Sequence, residues 1–174
     1  MEFMKVVAVG DAMVGKTCVF RAYTKKEYQF NYIATVFDEY TADLTVDDKR
    51  IKLGLQDTPG LYHYDRLRPL SYNDAEIFLV CFAINQPESL ESVTTKWLPE
   101  IDLHCPKAVK ILVGCKMDKR STDPNNCTSR SYIESRARSL KMIYCETSAL
   151  SCEGLDECFE KVVRQKWRQC ENGI

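Results

Sequence analysis

Gly10-Asp11-Ala12-Met13-Val14-Gly15-Lys16-Thr17 satisfies the pattern G-x-x-x-x-G-K-[ST] at every fixed position. An apolar run, Met4 to Val9, leads into it, and a helical segment, Thr17 to Tyr23, leads out. Strand, glycine-bearing loop and helix N-terminus in that order make an anion site. Successive backbone N–H groups curl around phosphate oxygens, and the helix dipole adds partial positive charge. Asp11, Ala12, Met13, Val14, Gly15, Lys16, Thr17 and Cys18 are therefore candidate phosphate-binding residues. Lys16 is placed to reach the β- and γ-phosphates, and the Thr17 hydroxyl to ligate Mg²⁺. Without the flanking strand and helix, the same pattern would read as a chance match.

Working outward, 174 residues suggest one domain with a core of ordinary size. The formal net charge of −1 gives no basic footprint for nucleic acid. No apolar run reaches membrane-spanning length, and the N-terminus lacks a secretory apolar region. The nine cysteines are odd in number and contain no C-x-x-C pair, which argues against zinc and against a disulfide framework. Cys18, Cys81, Cys145 and Cys158 lie in apolar contexts and read as small core residues of a cytoplasmic protein. Met1-Glu2-Phe3 precedes a second methionine and reads as vector-derived, with Met4 opening the first strand. The domain is expected over 4–170, with a tail at 171–174. Cys170 stands five residues from the end, one too many for the C-a-a-X prenylation pattern. Membrane attachment is then expected only if the native tail is lipidated.

Strand-like runs recur at Val6–Val9, Ile51–Leu55, Ile77–Ala83, Ile111–Val113 and Met142–Tyr144. Helical patterns at Lys16–Tyr23, Pro87–His104, Ser129–Lys141 and Gly154–Gln169 lie between or after them. Such alternation predicts an α/β fold with a mostly parallel sheet covered on both faces. Tyr40–Val46 and Ile51–Leu55, joined by Asp47-Asp48-Lys49, read instead as an antiparallel hairpin. In the Pro87–His104 helix, Leu90, Val93, Trp97 and Ile101 are spaced for core packing. The loops at 10–17, 57–61, 114–118 and 147–149 all follow strands, so they converge on one edge.

Chemistry at that edge is specific. Asp57-Thr58-Pro59-Gly60 follows a strand, where a carboxylate can hold Mg²⁺ through water and the Gly60 N–H can bond a γ-phosphate. In Cys115-Lys116-Met117-Asp118, the Asp118 carboxylate can accept from N1 and the 2-amino group of guanine, which adenine does not offer. Lys116 can lie over the base. Thr147-Ser148-Ala149-Leu150 can present a backbone N–H to the guanine O6. A lone K-x-D is more often a solvated loop; its specificity comes from the phosphate loop and the strand order.

With these residues in view, the chain resembles a small GTPase of the Ras superfamily, in the Rho/Rac branch. The segments that carry the likeness are Tyr32-Ile33-Ala34-Thr35-Val36-Phe37-Asp38, Asp65-Arg66-Leu67-Arg68-Pro69-Leu70-Ser71-Tyr72, Lys96-Trp97-Leu98-Pro99-Glu100 and Glu146-Thr147-Ser148-Ala149-Leu150. The resemblance runs from Met4 to about Gln165. It implies a P-loop G domain: a six-stranded, mostly parallel sheet with one antiparallel edge strand and about five helices. It further implies a GTP or GDP ligand with Mg²⁺, switch I around Lys26–Asp38 and switch II around Asp57–Tyr72. Thr35 would join Thr17 and Asp57 at the metal, Tyr28 would pack against the guanine edge, and Tyr32 would cover the phosphates. A monomer engaging effectors, exchange factors or a guanine-nucleotide dissociation inhibitor through the switches is implied, in signal transduction to the cytoskeleton. Val36, Phe37, Asp38, Tyr64, Leu67 and Leu70 are the candidate contacts.

Departures from the family decide the expected chemistry. Leu61 stands where a glutamine orients the attacking water, and leucine has neither donor nor acceptor. The Ala12 methyl replaces a glycine and occupies space that the glutamine and an arginine finger need. Pro59 removes an N–H and stiffens the hinge before Gly60. Cys115 replaces an asparagine or threonine that ties its loop to the phosphate loop, and a thiol is a poor substitute. Gln56 stands where many members carry a tryptophan read by exchange factors. The interval from Asp118 to Ser148 is too short for the Rho insert helix. Taken with Tyr62 and His63, these departures read as a naturally atypical member; an engineered Leu61 or Ala12 is the alternative. Three functions stay open: a switch that keeps its GTP, a competent GTPase using Tyr62, Tyr64 or a partner residue, and a weakly binding scaffold. An ATP-specific enzyme fits Lys116 and Asp118 poorly.

Overall fold

The computed structural model of the chain describes residues 1–28 and 37–173. Its strands are β1 (Glu2–Gly10), β2 (Glu39–Val46), β3 (Lys49–Gln56), β4 (Ile77–Ala83), β5 (Val109–Cys115) and β6 (Ile143–Glu146). Its helices are α1 (Lys16–Lys25), α2 (Pro87–Ser92), α3 (Leu98–His104), α4 (Lys119–Thr122), α5 (Arg130–Ser139) and α6 (Leu155–Glu171). A π turn, Val93–Trp97, joins α2 and α3 into one rod. Pro99 explains it: within a helix its ring would meet the carbonyl four residues back, and the wider turn makes room. Counting that rod once, about five helical bodies flank the sheet among the described residues.

The sheet order is β2-β3-β1-β4-β5-β6, and every pairing is parallel except β2 with β3. The hairpin closes with Val46 opposite Lys49. Asp47 and Asp48 both take positive φ, 48° and 62°, the conformation whose twist matches that of the strands it joins. Alternate residues of each central strand enter opposite cores. Ile77, Leu79, Cys81 and Ala83 pack with α1 and α6 residues such as Phe20, Phe159 and Val162. Phe78, Val80 and Phe82 pack with Leu90, Trp97, Ile101 and Ile133 on the other face. Each of the seven β4 residues is buried, as a strand covered on both sides requires.

Several boundaries differ from the sequence reading. β1 begins at Glu2, not Met4: Glu2 pairs with Ile51, and the Phe3 ring lies over Gly54. A β-carbon at Gly54 would stand 2.7 Å from that ring, so the glycine is what lets it settle on the sheet. Trp167 Nε1 donates to Glu2 Oε2 at 3.1 Å, tying the same strand end to α6. β6 starts after Met142 and continues through Cys145 and Glu146, because its register follows β5. α5 ends at Ser139, where Lys141 turns to φ 55°. Between α4 and α5 stands only a 3₁₀ turn, Pro124–Asn126.

Leu79→Ala should lower the unfolding free energy by about 2–5 kcal/mol, the cost of a cavity in a strand buried on both faces. Urea denaturation followed by circular dichroism would show a lower midpoint at unchanged slope.

Candidate functional site

Because β1, β3, β5 and β6 run parallel, the loops at their carboxyl ends gather on one edge. Gly10 turns the chain there at φ 152°, with Cys81 O only 2.3 Å from where a β-carbon would stand. Gly60 approaches the phosphate loop just as closely: a β-carbon would lie 2.4 Å from Ala12 N and 2.5 Å from Gly10 O. No side chain caps α1, whose N-cap is Gly15. Met13 takes a left-handed φ of 67° and is exposed, while the Val14 side chain is buried in the core and leaves only its backbone to the site.

Lys16 is buried, and its Nζ donates to Gly10 O and Asp11 O, each at 2.8 Å. An ammonium has three protons, so one direction remains for a ligand oxygen. Burial pushes the Lys16 pKa down, partly offset by the charge of Asp57. Burial also pushes the Asp57 carboxyl up, opposed by the Thr17 hydroxyl and then by Lys16. Thr17 Oγ1 donates to Asp57 Oδ2 and Thr58 N to Asp57 Oδ1 at 3.0 Å. Two buried groups whose charged forms are both disfavoured suit a site completed by an anion and a cation. The oxygen donors of Thr17 and Asp57 are those a hard cation such as Mg²⁺ prefers.

At the other end, Ser148 Oγ donates to Asp118 Oδ1 at 2.8 Å, and Met117 N to Thr147 O at 2.9 Å. These bonds hold the Lys116–Asp118 and Thr147–Ala149 loops as one unit. Lys116 sits at φ 66°. Burial raises the Tyr28 pKa, with Cys18 and Asp118 adding to it. Cys18 is half-buried, not a core residue, whereas Cys81, Cys145 and Cys158 are buried as expected. Ala149 packs against the core, and the Leu150 side chain is half-exposed at the rim. Tyr32, Thr35 and Val36 lie outside the described residues.

A family model described as Ras family matches residues 5–168. The chain belongs to the Ras family. Members are small GTP-binding switches that take guanine nucleotide with Mg²⁺, and the fold and loop order described above are those of that family. No helix among the described residues is long and apolar enough to cross a membrane.

Within this Ras-family frame, several departures have structural consequences. Cys115 does not tie its loop to the phosphate loop by a hydrogen bond. Its β-carbon stands 3.3 Å from where a Gly15 β-carbon would be, so the tie is packing. Its thiol meets Cys81, whose pKa that contact and burial push well up. Gln56 is buried and clips the end of switch I: its Nε2 donates to Asp38 O at 3.3 Å and to Asp57 O at 3.1 Å. Asp57 N donates to the same Asp38 carbonyl at 2.8 Å. Leu61 is 38% exposed beside Gly60. Phe37 meets Tyr64 edge-on at 6.2 Å, joining the two switch segments.

Arg68 is a fully buried cation with a structural role. Arg68 donates through Nε to Pro59 O at 2.8 Å, and through its terminal nitrogens to Leu61 O at 3.0 Å, Asp65 Oδ1 at 2.9 Å and Glu100 Oε2 at 2.8 Å. Its guanidinium lies 4.5 Å from the Trp97 ring centroid, and Trp97 Nε1 donates to Asp11 Oδ1 at 2.9 Å. Arginine spaced seven residues after Leu61 gives no sequence signal of burial; the π turn that aims Trp97 was equally illegible.

Gly60→Ala should force switch II off the phosphate loop, since its β-carbon would meet backbone atoms that cannot move aside. Trypsin should then cleave after Arg66 at least about tenfold faster, because cleavage tracks local opening; the Arg68–Pro69 bond resists trypsin in any state. Glu146 yields a pH prediction. Burial pushes its carboxyl up, but Arg120, Arg130 and the Tyr144 hydroxyl outweigh this and hold it below the usual value of 4.5. Stability from this group is present above that value and lost as pH falls through the lower folded one. Glu146→Gln should cost about 1–3 kcal/mol at pH 7 and weaken the acid dependence of thermal melting as pH falls below 4.5.

Proposed function

We propose that the chain is a Rho-like guanine-nucleotide switch that binds GTP with Mg²⁺ and hydrolyses it poorly, remaining GTP-loaded and available to effectors. The observation that carries this reading is Leu61, next to the Gly60 that abuts the phosphate loop. Its carbonyl is held by Arg68, and its side chain offers no polar atom to place a water. Ala12, whose backbone N is the atom closest to a Gly60 β-carbon position, adds a methyl group to the loop that Gly60 abuts. Within such a switch, Lys16 and the Asp11–Cys18 backbone bind phosphate, Thr17, Thr35 and Asp57 hold the metal, and Asp118, Lys116 and Ser148–Leu150 read the base. Tyr28 and Tyr32 close over the ligand.

Effectors would read Phe37, Asp38, Tyr64 and the exposed Leu67 and Leu70, together with Val36. Pro124–Asn126 occupying the α4–α5 interval supports a member without the insert helix. With hydrolysis slow, regulation would come from expression, localisation or nucleotide exchange and not from GTPase-activating proteins. Attachment to a membrane would require a lipidated tail.

Nucleotide extracted from the purified protein and separated by ion exchange tests this directly. GTP is expected; GDP would favour a competent GTPase, and no nucleotide a scaffold. In single turnover, the wild type should release γ-phosphate slowly and resist a Rho-family activating protein. The double variant A12G/L61Q should respond to that protein by about 10³-fold or more, the usual worth of an arginine finger. Ordinary, accelerated hydrolysis by the wild type would refute the reading.

A further inference from the structure

Asp11 is an anion inside a loop whose backbone is arranged to attract anions. A phosphate bound there and an unconstrained Asp11 carboxylate would repel each other at short range. Both carboxylate oxygens are nevertheless occupied elsewhere. Trp97 Nε1 donates to Oδ1 at 2.9 Å, and Ser92 Oγ donates to Oδ2 at 2.7 Å. Both donors lie on the α2–α3 rod, at and beside the π turn, and Trp97 is fully buried. Meanwhile the Asp11 carbonyl accepts from Lys16 Nζ at 2.8 Å. One residue thus contributes its backbone to the lysine clasp while its charge is drawn to the neighbouring helix.

We propose that Ser92 and Trp97 are positioning residues that park the Asp11 carboxylate on the α2–α3 rod, away from the phosphate cradle, and so set how long nucleotide stays bound. The inference rests on the guanine-nucleotide reading above. Trp97 also carries the Arg68 guanidinium on its ring, 4.5 Å from the centroid, and Arg68 bonds the Pro59 and Leu61 carbonyls on either side of Gly60. The same indole therefore fixes the charge in the phosphate loop and the anchor of switch II. The π turn has a role in this: it rotates Trp97 so that its N–H faces the loop and its ring faces the arginine.

The test measures dissociation of a fluorescent GDP analogue in excess Mg²⁺. Ser92→Ala, at a half-exposed position, removes one donor without disturbing the core; Trp97→Phe removes the other and keeps an aromatic ring under Arg68. Dissociation should quicken about threefold in the first and about tenfold in the second, more at low salt than at high. Adding Asp11→Asn to Trp97→Phe should return the rate to within about twofold of wild type, because the charge that needed restraining is gone. A purely structural role for Trp97 predicts no such rescue and no salt dependence. Acceleration without rescue by Asp11→Asn, or unchanged rates in both Ser92→Ala and Trp97→Phe, would overturn the inference and leave the functional reading intact. Wild-type protein that binds no guanine nucleotide would overturn both.

Discussion

A single buried guanidinium organises the switch side of this molecule. Taking Arg68 out of water costs several kcal/mol unless its N–H groups are met by acceptors in good geometry. Here they meet two backbone carbonyls, of Pro59 and Leu61, and two carboxylates, of Glu100 and Asp65. The Trp97 ring covers one face, and Tyr72 donates to the same Glu100 at 2.7 Å. Satisfying that cation fixes the backbone on both sides of Gly60. It also fixes Trp97 in the orientation that reaches Asp11. The phosphate loop, the α2–α3 rod and switch II consequently behave as one packed unit, where the sequence presents three separate stretches.

The nucleotide edge is the electrostatic counterpart. Lys16 and Asp57 are both buried, and burial disfavours the charge on each. The opposite charges of Lys16 and Asp57 partly offset that cost for each other.

Two departures acquire a different meaning once packed. Cys115 looked like a loss of the bond between the base-reading loop and the phosphate loop. Tertiary contact replaces that bond with packing against Gly15 and a thiol pair with Cys81. Gln56 looked like the absence of a recognition surface for exchange factors. Folded, it is a buried clip between the Asp38 and Asp57 carbonyls, restraining the exit of switch I.

The fold was legible because its determinants are local and repetitive. β4 was read to the residue from its unbroken apolar run, and the hairpin from alternation plus an Asp-Asp turn. The turn between β1 and α1 was legible because its two glycines and the flanking strand and helix are adjacent in the chain. Strand ends were less so: Glu2 and Phe3 join β1 only because β3 and Trp167 receive them, and β6 takes its register from β5. Sequence by itself thus determined the sheet and the order of the loops at its carboxyl edge, since each depends on residues adjacent in the chain. Burial of Arg68, the aim of Trp97 and the parking of Asp11 were decided only by tertiary structure. Their partners lie 81 and 86 residues apart for Asp11, and 32 for Arg68 and Glu100, distances over which no local pattern carries information.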